Sequence, residues 1–186
     1  MRSSLVVVVL GMLVGCGDDD GGSSPIDAAV DAALALTIPT ITEGGTIPLT
    51  HVCTDRGGMN LSPALAWTNP PAGTQSYAYV LTDKNNDLVH AAVYDIPATL
   101  AGLPADLENA YAPSDAAGVH QAASYQPSIR GWNGPCPGQM HTYEIKLYAL
   151  ATPTLPNAMM GTTRSQIVTA LATNLGTATL TATFTP

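Results

Sequence analysis

Four histidines and three cysteines carry most of the chemistry open to this 186-residue chain. His51, His90, His120 and His141 lack the close pairings on one element that announce a metal centre, which leaves only a distributed metal site as a metal reading. Nucleophile elbows, HExxH helices, phosphate loops and dinucleotide glycine patterns are all missing, so no cofactor is expected. Position is more informative than motif. Asp83 closes one strand-like segment, His90 lies inside the next, and His141 opens a third. Imidazoles and a carboxylate gathered at strand ends can bind an anion, or serve as acid–base groups of a hydrolase. The bland alternative for each histidine is a hydrogen-bonded polar residue at a strand edge. Before His141 runs Gly131-Trp132-Asn133-Gly134-Pro135-Cys136-Pro137-Gly138. Its glycines permit close backbone approach and its prolines stiffen it, so its amides are candidates for cradling an anion.

The cysteines sort by position. Arg2 precedes an apolar run over residues 5–14, followed by Gly15 and Cys16. One basic residue plus about ten apolar ones is the build of a secretory signal peptide, too short to cross a bilayer stably. Leu13-Val14-Gly15-Cys16 resembles the lipobox of bacterial lipoproteins. In such proteins the chain is cut before the cysteine, whose thiol and new amine are acylated. A plain signal peptide with an incidental cysteine is the alternative. With Cys16 lipidated, Cys53 and Cys136 remain either as one disulfide in an oxidising compartment or as two independent thiols.

After Cys16 comes GDDDGGSSP and then Asp27 and Asp31, a self-repelling, low-complexity stretch. Residues 16–36 read as a tether with a root-mean-square reach of roughly 25 Å. Charge outside it is modest. The chain carries 14 acids against 6 bases, but five acids lie in the tether and Arg2 in the leader, so residues 37–186 hold nine acids and five bases. Cations this sparse exclude a nucleic-acid footprint and a basic lipid-docking patch. An apolar share of 46% supports one core, necessarily aliphatic because aromatics are only 5%.

Short strands must position these groups. Residues 76–82 (SYAYVLT) and 88–95 (LVHAAVYD) are β-rich and joined by a polar loop of hairpin length. Residues 142–150 alternate, with Tyr143, Ile145, Leu147 and Ala149 on one face. Residues 177–184 alternate as strictly, Ala178, Leu180, Ala182 and Phe184 inward and four threonines outward. One helix is marked by the capping-box pair Thr163 and Gln166, the stripe Ile167, Ala170, Leu171 and Leu175, and Gly176 as its stop. Residues 100–126 read as a long irregular connection over one end of the fold. The sum is an all-β architecture: an antiparallel β-sandwich of two sheets with one or two peripheral helices.

Three blocks carry a family resemblance. Asn60-Leu61-Ser62-Pro63-Ala64-Leu65-Ala66-Trp67 is followed by the Asp-bearing loop 83–87, then by His90 with Val93-Tyr94-Asp95-Ile96-Pro97, then by GxxGPCPxxxxHxYxxxLYAL over residues 131–150. In that order they resemble the phosphatidylethanolamine-binding protein (PEBP) family, in its bacterial YbhB/YbcL-like, Raf kinase inhibitor-like branch. The resemblance runs from about residue 41 to 184. It implies a two-sheet β-sandwich with a small pocket for phosphate, acetate or phospholipid headgroups and no general enzymatic reaction. Carried over to this sequence, the pocket residues are Asp83, His90, His141 and Tyr143, beside Gly134 and Pro135. Cys53 and Cys136 would flank that pocket, which favours their pairing.

The loop departs from the family's DPDAP, reading Asp83-Lys84-Asn85-Asn86-Asp87, and Ala91 replaces the usual Trp. Thr142 stands where the family often has Arg, and residues 121–125 match only loosely. The functional expectation is a lipid-anchored, non-enzymatic binding protein of the bacterial cell envelope with an anion pocket. Its partners would be a small anionic ligand or phospholipid headgroup and, through the lipid, a membrane. One competing reading is an inhibitor or regulator of a protease or kinase with a vestigial pocket; another is a hydrolase using His90, His141 and Asp83.

Overall fold

A computed structural model describes residues 32–186; the leader, Cys16 and most of the acidic segment lie outside the described residues. Eight strands and one helix follow in the order β1 (Ala35–Thr37), β2 (Leu65–Thr68), β3 (Ser76–Asp83), β4 (Leu88–Pro97), β5 (Gly102–Leu103), β6 (His120–Gln121), β7 (His141–Leu150), α1 (Arg164–Ala170) and β8 (Gly176–Phe184). They form a three-stranded sheet, β1-β2-β5, and a five-stranded sheet, β6-β4-β3-β7-β8. Every named pairing is antiparallel. This is the two-sheet sandwich expected from the sequence, with one α-helix.

Burial explains which strands were periodic. The larger core lies between the sheets, where Trp67, Tyr77, Tyr79, Leu81, Tyr143, Ile145, Leu147 and Phe184 meet. A smaller core on the far face of the big sheet joins Ala78, Val80, Ala92 and Tyr94 to Ile167 and Leu171 of α1. Strands β3 and β4 are therefore covered on both faces and read as nearly continuous apolar runs. β7 and β8 bury alternate residues and carry the period-2 signal.

Local chemistry sets the boundaries. Thr163 and Gln166 make the capping box, as the spacing predicts. The helix stops earlier than its stripe suggests: α1 ends at Ala170, Leu175 is 41% exposed, and Gly176 opens β8 instead of capping the helix. Asn174 Nδ2 donates to the Leu171 carbonyl and Leu175 N–H to that of Ala149, so the chain leaves the helix to pair with β7. The stretch 100–126 also departs from expectation, since it contributes β5 to one sheet and β6 to the other. Composition likewise set the tether's end too late. Ala35 and Leu36 pair with Thr68 and Trp67, and Leu34 is buried in the main core.

Candidate functional site

Asp83 is the last residue of β3, facing Tyr143 of β7 across the ladder, with His141 two residues before Tyr143. His90 arrives by an irregularity. Between β3 and β4 the register shifts from Leu81↔Ala91 to Thr82↔Val89, leaving His90 as the extra residue of a β-bulge. Bulges re-aim side chains, and this one brings His90 over the ring of Tyr143, at 5.5 Å between centroids and edge-on. Asp83, His90, His141 and Tyr143 thus come together from three strands.

Each group has a defined partner. His141 Nδ1 lies 2.6 Å from Asp83 Oδ2, an N–H donating to a carboxylate. Asp83 Oδ1 accepts from the Asn85 amide at 2.9 Å. The altered loop also grips β7, because Asn85 Oδ1 accepts from Thr142 N–H and Lys84 N–H donates to the Thr142 carbonyl. Asn85, a departure from the family pattern, therefore fixes Asp83 against His141. His90 Nδ1 lies 2.8 Å from the Asn133 carbonyl. A carbonyl only accepts, so Nδ1 carries the proton and neutral His90 keeps Nε2 as an acceptor. Tyr125 also packs edge-on against that imidazole, at 5.0 Å between centroids. The Tyr143 hydroxyl is buried with no hydrogen-bond partner among the described residues. Burial, and then the neighbouring Asp83 charge, push its pKa upward, so it remains a protonated donor.

The site is nearly closed. His90 and Asp83 are each 2% exposed and Tyr143 0%, while the His141 side chain keeps 15%. Of the four side chains, His141 is the one with appreciable exposure. The glycine-rich loop plays a different part from the one its composition suggests. The Gly134 amide donates to Asn60 Oδ1 at 2.7 Å and that of Gly131 to the Ala122 carbonyl, so these two are not free to cradle an anion. The loop is instead clamped to residues 51–60. Cys53 and Cys136 form a disulfide, Cys53 N–H donates to the Pro135 carbonyl, and Trp132 Nε1 donates to the His51 carbonyl. Its contribution to the site is the Asn133 carbonyl that orients His90.

The other two histidines are placed elsewhere. His51 bridges Thr40 Oγ1 and the Leu61 carbonyl, and His120 pairs with Asp95 beneath Tyr111. Among the described residues no group of three or more His, Cys, Asp or Glu side chains is arranged to hold a metal ion. Asn85, Tyr125 and Asn133 were not singled out from the sequence. Their roles depend on backbone groups and ring edges that only the fold brings within reach.

Burial holds the His90 pKa below the ordinary histidine value of 6.5, against smaller opposing contributions from the Asn133 carbonyl and Asp83. The unfolded chain therefore takes up a proton before the folded one does, and stability is lost as pH falls from about 6.5 toward the depressed value. Substituting His90→Gln removes this coupling. The stability gap between wild type and variant should narrow on acidification from pH 7, by at most about 1.4 kcal/mol per pH unit. Urea unfolding across that range checks it, and a gap independent of pH would contradict a buried neutral His90.

Fold and site together define a small β-sandwich protein whose strand ends converge on a histidine–aspartate–tyrosine cluster. The family model described as phosphatidylethanolamine-binding protein matches residues 37–185, and the chain belongs to that family. Its relatives include the UPF0098 protein YbcL of Escherichia coli K12, 31% identical over 138 residues, covering 69% of this chain and 75% of YbcL. A UPF0098 protein of Aquifex aeolicus is 30% identical over 118 residues, 60% of this chain and 65% of that one. The crystal structure of Escherichia coli YbcL, described as a new member of the mammalian PEBP family, superposes with a TM-score of 0.73 at 27% identity, covering 83% of this chain and 99% of YbcL. A PEBP homolog from Chlamydia trachomatis shares the fold, with a TM-score of 0.67 at 22% identity over 83% of this chain and 98% of its own.

Proposed function

We propose that the chain is a lipid-anchored, non-enzymatic binding protein whose Asp83–His90–His141–Tyr143 site takes a small phosphate-like anion. The observation that carries this reading is the 2.6 Å Asp83–His141 contact beside the buried, unpartnered Tyr143 hydroxyl. With Nδ1 engaged by Asp83, protonated His141 offers Nε2–H to an anionic oxygen, and Tyr143 offers a second donor. Neutral His90 supplies an acceptor for a protonated group, such as the P–OH of a monoanionic phosphate or the ammonium of a headgroup. That mixture suits a dipolar or partly protonated ligand better than a bare dianion. Family membership supports binding over turnover, and no hydroxyl nucleophile among the described residues is hydrogen-bonded to either imidazole. The lipid anchor rests on the sequence around Cys16, outside the described residues.

Calorimetric titration with inorganic phosphate at pH 6 tests the reading. Expected is millimolar affinity, about 4 kcal/mol, weakened at least tenfold by His141→Ala, with the urea midpoint nearly unchanged. Phosphate binding by wild type that persists in the variant would move the ligand away from this site. Absence of binding at tens of millimolar would leave the site vestigial and favour a protein-directed regulator.

A further inference from the structure

A second set of cations lies away from the Asp83–His141 pair. Arg130 and Arg164 both line a cavity of about 290 Å³, with Ser124, Thr162, Thr163 and Met160 in its wall. No acidic side chain lines it. Neither guanidinium forms an ion pair among the described residues, although this part of the chain has more acids than bases. Arg130 stacks over the Tyr111 ring at 5.7 Å and makes one long contact, 3.4 Å, to the Gln121 carbonyl. Arg130 also lines a neighbouring cavity that includes Asp106 and Glu108, so the acid-free cavity is the one it shares with Arg164. Two of the three hydroxyls already donate, those of Ser124 and Thr163. Ser124 bonds the Gln126 carbonyl and Asn133, Thr162 accepts from Met159 N–H, and Thr163 caps α1. Unused donor capacity therefore belongs to the two guanidinium forks, whose planar geometry matches the oxygens of a phosphate, and to the Thr162 O–H, which only accepts in its bond with Met159. Two like charges sharing one concavity repel, and an anion between them removes that repulsion.

We propose that this cavity is a second anion site, taking a phosphate group through Arg130 and Arg164. It lies one polar layer from the first site, because Ser124 in its wall is hydrogen-bonded to Asn133, whose carbonyl holds His90.

Two exposed methionines make the sites separately readable. Met160 lines the arginine cavity and Met140 immediately precedes His141, each 60% exposed. The full-length chain labelled with ¹³C at its methionine methyls is titrated with inorganic phosphate, and with glycerophosphoethanolamine as the chain-free headgroup. Phosphate should shift the Met160 methyl saturably, and Arg164→Gln should weaken that response at least fivefold without altering the Met140 response. Arg130→Lys, which keeps charge but loses the fork and guards against misfolding, should weaken it by a smaller factor. A Met160 response to phosphate alone assigns free phosphate as the ligand, and one to both probes assigns the phosphate group they share. An unmoved Met160, a shift unchanged in Arg164→Gln, or an equal shift from chloride at matched ionic strength overturns the second site. Each of those outcomes leaves the Met140 readout to judge the first site independently.

Discussion

Replacing both Cys53 and Cys136 by alanine should lower the unfolding free energy by about 4 kcal/mol. The two are linked across a sequence separation of 83, and closing a loop of that size restricts the unfolded chain by roughly 4.5 kcal/mol in the chain-entropy model. Measured losses of native bridges run about 2–5 kcal/mol, a large share of the 5–15 kcal/mol that holds a domain together. In a chain this long the thermal midpoint should fall by roughly 10 °C. The native state is affected as well. The bridge fastens the loop carrying Asn133 to residues 51–60, alongside the Cys53 N–H bond to the Pro135 carbonyl and the Arg56 Nε bond to the Pro137 carbonyl. Those bonds remain in the variant, so it should fold with a looser loop and faster amide exchange at Asn133, Gly134 and residue 136. Urea unfolding of wild type, with and without reductant, and of the double variant checks the magnitude. Equal midpoints for all three would show that these hydrogen bonds alone hold the loop.

What the sequence made legible follows from how many faces of each element are covered. β7 and β8 alternate because each buries one side, and their bounds differ from the sequence reading by a single residue at the N-terminal end. β3 and β4 are packed on both faces and gave only composition, so their pairing was legible but the bulge at His90 was not. A one-residue register shift is decided by what the strands pack against. Helix α1 announced its start because a cap is a local side-chain contact. Its end was hidden because pairing with β7 overrides the apolar stripe. At the candidate site, Asp83, His90 and His141 are legible by type and position, and Tyr143 only through the family resemblance. Asn85, Asn133 and Tyr125 are not, since they act by holding backbone groups or presenting a ring edge. The glycine-rich loop misled for the same reason. Glycine there looked like room for a ligand and is instead room for the protein's own backbone.

Gly134→Ala is the second substitution with a large expected effect. A Cβ at this position would lie 2.1 Å from the His51 carbonyl oxygen and 3.0 Å from the carbonyl carbons of His51 and Val52. All three are backbone atoms. They are held by the His51 N–H bond to Pro48, the Val52 N–H bond to Leu49 and the neighbouring disulfide, so the strain cannot be relieved by a side-chain rotation. The oxygen the methyl would strike is also the acceptor for Trp132 Nε1, so relief costs that buried hydrogen bond too. Overpacking a tight site costs typically about 1–3 kcal/mol, and loss of a buried partner adds about 1–3 kcal/mol more. Movement of the loop also carries away the Asn133 carbonyl that fixes His90, so phosphate affinity should fall with stability. Gly138, in the same loop, has nothing within 4 Å of an added Cβ, and Gly138→Ala should stay within about 0.5 kcal/mol of wild type. Urea midpoints of the two variants, with the His90 Nδ1–H proton resonance followed by NMR, separate a steric cause from a general intolerance of substitution in the loop. A Gly134→Ala protein as stable as Gly138→Ala, with that resonance unmoved, would show that the loop and residues 51–52 part easily and that His90 is not positioned by their contact.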